Sequence, residues 1–151
     1  MRKVYATIAT IAIHKMRLSQ KRLRLRFAIG LWHDSAMPLL ICLAALAIDG
    51  DTLACADGTR LRVAGIEANE LHQPGCHLPA CPAMSGVEAR ERMQAIVSGK
   101  TLTYQPVGKT WNRISARVTL PDGRDLACQA IRDGVAVRWE KFDLAGRLKG
   151  C

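Results

Sequence analysis

A chain of 151 residues, 49% hydrophobic and 23% charged, holds apolar material for one modest core, which excludes a second large domain and a wholly disordered polymer. The net charge of +9 is unevenly spread: residues 1–36 carry eight basic side chains and one acid, Asp34, for +7, leaving +2 on residues 37–151. Net charge alone therefore gives no argument for nucleic-acid binding by the folded part, and such an argument rests on where Arg62, Arg113 and Arg117 point.

In chain order, Arg2-Lys3 and the apolar residues 4–13 look like the start of a secretion signal, but the run is short, leads into basic residues 21–26 and meets no small-residue cleavage site. Residues 1–36 read as a basic arm, disordered or targeting-related, whose role is peripheral membrane contact; residues 37–151 read as a single domain. Met37 is an alternative start to Met1. Residues 38–47 then read either as a signal core ending at Ala45-Leu46-Ala47 or as a buried first strand. The strand is favoured, since cleavage would remove the segment before Asp49 and ten apolar residues are too few to span a bilayer.

Asp49-Gly50 reads as a hairpin turn, and residues 52–55 and 60–66 as strands joined at Asp57-Gly58. The chain leaves the second strand through Glu67-Ala68-Asn69-Glu70, which delivers the acids to a strand end beside the first turn. Ser85-Gly86-Val87-Glu88 has the spacing of a capping box, Ala89, Met93, Ile96 and Val97 follow at helical intervals, Glu88 and Arg92 can pair, and Gly99 closes the helix. Residues 101–105 form a strand. Another follows, with Ile114, Ala116, Val118 and Leu120 on one face and Arg113, Ser115, Arg117 and Thr119 on the other. Asp122-Gly123 is a turn, residues 125–133 a short helix ending at Gly134, and residues 135–139 a last extended piece. This pattern predicts an α+β, mainly β fold: a five-stranded OB-type barrel with two or three short helices.

The six cysteines allow 15 pairings. In an oxidising compartment the economical choice joins Cys76 to Cys81 across a Pro-rich loop and Cys128 to Cys151 at the tail, pointing to a secreted or bacterial envelope (periplasmic) protein. Cys42 and Cys55 lie on the arms of the first hairpin and read as small buried hydrophobes, with a third disulfide as the alternative. His72, Cys76, His77 and Cys81 lie within ten residues but lack the paired spacing of structural zinc sites, so zinc is disfavoured.

The chemistry concentrates in Asp49-Gly50-Asp51-Thr52, Arg62, Glu67, Glu70 and Arg113. Carboxylates and guanidiniums around one strand-turn-strand unit are what a cation-assisted attack on a phosphodiester needs. Here the chain resembles the staphylococcal nuclease-like (thermonuclease) family, and its cysteine-rich loop and cysteine-ended tail resemble a bacterial branch of it. The family pattern runs DGDT, then R-L-x-G-I-D-A-P-E, then Y-G-R; this chain has Asp49-Gly50-Asp51-Thr52, Arg62-Val63-Ala64-Gly65-Ile66-Glu67-Ala68-Asn69-Glu70 and Trp111-Asn112-Arg113. The resemblance spans residues 39–139. It implies an OB-type barrel and a monomeric, calcium-dependent nuclease that hydrolyses DNA or RNA with little sequence preference and leaves 3′-phosphate ends. It further implies that Asp51, Glu67 and the Ala68 backbone carbonyl hold the cation, that Glu70 orients or deprotonates water, and that Arg62 and Arg113 hold the phosphate. Donors that are all oxygen favour calcium over zinc. Glu67, Asn69 and Asn112 stand where the family has Asp, Pro and Gly, and Asn112 can still tolerate a left-handed turn there. The alternative function is a catalytically impaired OB-fold module that binds nucleic acid or protein.

Overall fold

The computed structural model describes residues 38–73 and 75–151. The expected basic arm and the choice between Met1 and Met37 lie outside the described residues. Among these there are eight strands, β1 (Leu40–Cys42), β2 (Leu46–Ala47), β3 (Thr52–Ala54), β4 (Arg60–Val63), β5 (Ile66–Glu67), β6 (Leu102–Thr110), β7 (Arg113–Thr119) and β8 (Val137–Arg138), and two α-helices, α1 (Gly86–Val97) and α2 (Leu126–Arg132). Six strands form one open, curled sheet in the order β1-β6-β7-β4-β3-β2, while β5 and β8 pair as a separate ribbon. The fold is α+β and mainly β. The expected five strands become seven because two of them break, the first at Ala44 (φ 47°) and the third at the Ala64-Gly65 turn (Gly65 φ 85°), and the last extended piece supplies the eighth, β8.

The curl has a local cause. β1 pairs with β6 at one edge and β2 with β3 at the other, yet only residues 43–45 separate them. A Cys42–Cys55 disulfide and a hydrogen bond from the Ala56 N–H to the Leu43 carbonyl (2.9 Å) hold the two edges near each other. This corrects the reading of Cys42 and Cys55 as unpaired hydrophobes. The reading of residues 38–47 as a buried strand is corrected too. Leu39, Ile41, Leu43 and Leu46 are exposed, whereas Cys42, Ala45 and Ala47 are buried. Alternate residues of a strand face opposite sides, and the inner side admits only small ones because α1 lies on it: the Gln94 side-chain carbonyl accepts the Ala47 N–H at 2.8 Å.

The core lies between the sheet and the helices, with Leu53, Leu61, Val63, Leu102 and Val118 from strands meeting Met93 and Val97 of α1 and Leu126 of α2. α1 starts where its capping box predicts, Ser85 and Glu88 each accepting the other's backbone N–H. Arg92 pairs with Asp133 (3.1 Å) rather than with Glu88. The expected pairs Cys76–Cys81 and Cys128–Cys151 are both formed. The tail makes two 3-10 turns and is fastened by Cys151, by buried Leu148 and by buried Asp143, which accepts from Arg138 Nε at 2.6 Å. Disulfides of this number are those of a protein that folds in an oxidising, extracellular or envelope-type compartment. No helix among the described residues is long and apolar enough to cross a membrane.

Candidate active-site cleft

Thr52, Arg62 and Ser115 are register neighbours across β3, β4 and β7. Residues two apart share a strand face, so Arg113 joins Arg62 on the same side of the sheet. Arg62 is largely buried and its guanidinium is divided: one nitrogen pairs with Asp51, the other with Glu67 and the Ile66 carbonyl (3.3 Å). Burial pushes the Arg62 guanidinium below its ordinary value and Glu67 pushes it back; a guanidinium starts so high that it stays charged. Arg113 donates to the Thr52 hydroxyl at 3.0 Å.

Asp51 is buried and has both oxygens engaged. Oδ1 pairs with Arg62 and accepts the Thr52 hydroxyl (3.1 Å); Oδ2 accepts the Ala68 N–H (3.1 Å). Gly50 makes this closeness feasible, because a Cβ there would stand 2.5 Å from the Ala68 Cβ and 2.9 Å from that of Ala89. Asp49 caps the turn by accepting the Asp51 N–H at 3.0 Å. Burial pushes its carboxyl above the ordinary value, against its Thr52 hydrogen bond and the Arg62 charge.

Glu67, only 1% exposed, sits between Arg62 and His77. Oε2 pairs with Arg62, while Oε1 accepts the His77 N–H (3.0 Å) and lies 2.6 Å from His77 Nδ1. Glu70 differs, its side chain being nearly half exposed, with Oε1 3.7 Å from the same Nδ1. Two contacts place Glu70. The Asn69 amide donates to the carbonyls of Pro82 (2.9 Å) and Met84 (2.6 Å), so hydrogen bonds hold the strand end where the family pattern has Pro. Gly86, first residue of α1, packs so tightly that a Cβ there would be 2.1 Å from the Glu70 carbonyl oxygen.

A cleft of about 240 Å³ is lined by Arg62, Glu70, His77, Trp111, Arg113 and Trp139, with Asp51 and Glu67 held by Arg62 outside its lining. Trp139 stacks on His77 (6.2 Å between ring centres, 8° between planes) and meets the edge of Phe142 at 4.6 Å. Trp111 stands 94% exposed in the two-residue turn between β6 and β7. The left-handed residue of that turn is Trp111 (φ 53°), not Asn112. A two-residue hairpin loop whose first central residue alone is left-handed keeps the strands twisted correctly, and here that residue is the tryptophan.

The three residues expected to be catalytic, Arg62, Glu70 and Arg113, thus line one cleft. Of the three expected cation ligands, Asp51 and Glu67 gather on Arg62, and Ala68 turns its N–H, not its carbonyl, toward Asp51. A zinc site using Cys76 and Cys81 is ruled out because both sulfurs are in a disulfide. Sequence reasoning considered His77 only beside those cysteines and missed its contact with Glu67; the short cysteine loop right after the acids was the signal for it. Trp139 and Phe142 were missed altogether, and no local motif marks residues that reach the cleft only through the β5–β8 pairing. No family model matches this chain, and no curated protein matches it.

Proposed function

We propose that the cleft hydrolyses phosphodiester bonds of single-stranded DNA or RNA with little sequence preference, as a cation-assisted nuclease of the staphylococcal nuclease-like type, exported to an oxidising compartment. The observation that carries this reading is the meeting of Arg62, Glu70 and Arg113 in one cleft, from positions 51 residues apart in the chain at their extremes. Two guanidiniums grip a phosphate, and a half-exposed carboxylate stands where water reaches it. Glu70 takes the proton of the attacking water, the water oxygen bonds to phosphorus, and the P–O5′ bond breaks to leave a 3′-phosphate. Arg62 and Arg113 offset the added negative charge of the five-coordinate transition state. Exposed Trp111 and the Trp139–Phe142 wall offer faces on which bases stack. A divalent cation supplies polarisation of the phosphate and a more acidic water. Asp51, Glu67 and the Ala68 carbonyl would be the oxygen donors for calcium, which asks Asp51 to give up its bonds to Arg62, the Thr52 hydroxyl and the Ala68 N–H. Arg62 pairs with Asp51 and Glu67, so these carboxylates would hold a cation only with Arg62 turned to the phosphate.

In this reading the curled sheet is an OB-type barrel left open, its β1 and β2 edges bridged by the chain rather than by a ladder. The chain acts as a monomer on nucleic acid. A second reading, a non-catalytic binding module, is favoured by the complete engagement of Asp51 with protein donors. The deciding experiment incubates the chain with single-stranded DNA and with RNA in calcium, in manganese and in chelator. Cleavage with either cation and none in chelator is expected; binding without cleavage under every condition favours the second reading.

A further inference from the structure

We propose that Glu67, Glu70 and His77 form a binding site for a divalent transition cation, with His77 Nδ1 as a nitrogen ligand. One ligand atom from each of the three lies within 4.8 Å of the others, Nδ1 being 2.6 Å from Glu67 Oε1 and 3.7 Å from Glu70 Oε1. The cluster mixes an imidazole with two carboxylates, and one of the carboxylates is buried. Arg62 holds Glu67 through Oε2 and leaves Oε1 aimed at the imidazole. That is the arrangement of a ligating carboxylate oriented by an outer hydrogen-bond partner.

His77 is placed with unusual care for a residue whose side chain is 66% exposed. Its N–H is tied to Glu67 Oε1, the Cys76–Cys81 disulfide closes the loop that carries it, and its ring lies parallel to Trp139. The hydrogen bond to Glu67 alone would need none of the loop closure. Two carboxylates and one imidazole suit manganese, iron or zinc, whereas calcium prefers oxygen donors throughout. Three protein ligands leave coordination positions free, as reactive cation sites require. Glu70 and His77 line the cleft together with Arg62 and Arg113, so a phosphate held there would lie beside the ion. The site rests on the nuclease reading for its use and shares Glu67 with it, taking a transition cation there in place of calcium, but binding of the cation is measured without nucleic acid, so the two fail separately.

The probe is manganese(II), titrated into the full chain with its disulfides intact and followed by electron paramagnetic resonance. One ion should bind per chain, and pulsed spectra should show coupling to an imidazole nitrogen. His77→Ala, at an exposed position, should abolish that coupling and weaken binding at least about tenfold, since even outer partners of ligands are worth that much. Glu70→Gln should weaken binding with the nitrogen coupling retained, and His72→Ala should change neither. Serine at both Cys76 and Cys81 should weaken manganese binding by freeing the loop. Absence of bound manganese, nitrogen coupling that survives in His77→Ala, or displacement by an equal concentration of calcium would overturn the proposal.

Discussion

The two walls of the cleft are built on opposite terms. On the sheet side, Arg62 lines the cleft and is held by Asp51 and Glu67, both buried and both engaged by protein donors. On the loop wall, the side chains of Glu70, His77 and Trp111 are exposed. A buried ion pair stabilises little when intact and costs much when halved, while an exposed carboxylate can be removed with almost no effect on folding. The difference teaches that charge in this cleft serves two ends: the buried pairs on the sheet side fix positions, and in the proposed reaction the accessible carboxylate of the loop wall handles the proton.

The strongest challenge to that division is Arg62→Met. It strands two buried carboxylates, and the unfolding free energy should fall by about 3–5 kcal/mol in denaturant titration. Arg113→Ala, which loses one hydrogen bond to Thr52, should cost about 1 kcal/mol. Equal losses would erase the contrast between the buried and the accessible guanidinium.

Serine at both Cys128 and Cys151 comes next. The bridge spans 23 residues, and opening it should lower the unfolding free energy by about 3 kcal/mol while leaving the cleft groups in place. Gly86→Ala separates the walls further. Helix propensity favours alanine by about 1 kcal/mol, but the new methyl meets the Glu70 backbone at 2.1 Å. The clash should win, with a net loss of about 1–2 kcal/mol and a larger loss of cleavage than stability alone explains, because Glu70 is pushed from its place. Trp111→Gly should have the smallest effect and the opposite sign. Relief of the left-handed tryptophan should raise stability by about 1 kcal/mol, and affinity for single-stranded nucleic acid should fall with the lost stacking face.

The sheet wall was legible in the sequence because its residues belong to short motifs with fixed spacing: a turn, a strand whose alternate residues face one side, and acids at the strand end. The α1 capping box and the Asp122-Gly123 turn were legible for the same local reason. The first strand was not. Hydropathy announces that residues 38–47 are apolar but not that the helix beside them leaves room only for Cys42, Ala45 and Ala47. Nor does it announce the kink at Ala44 that draws Cys42 to Cys55 and curls the sheet. The loop wall was half legible: Glu70 stood in a motif, whereas His77 gained its role from a carboxylate ten residues earlier, and Trp139 from pairing between strands 70 residues apart. The tolerance of Asn112 for a left-handed turn goes unused, because the register Thr110↔Arg113 makes Trp111 the left-handed residue.

The most direct test of the division of labour is the single-turnover cleavage rate of Glu70→Gln on single-stranded DNA, measured beside its unfolding midpoint. The rate should fall by about two to four orders of magnitude, the typical worth of a positioned base, with the midpoint unchanged because the side chain is nearly half exposed. Cleavage equal to that of the parent chain would contradict the account and return Glu70 to the surface charges that do no chemistry.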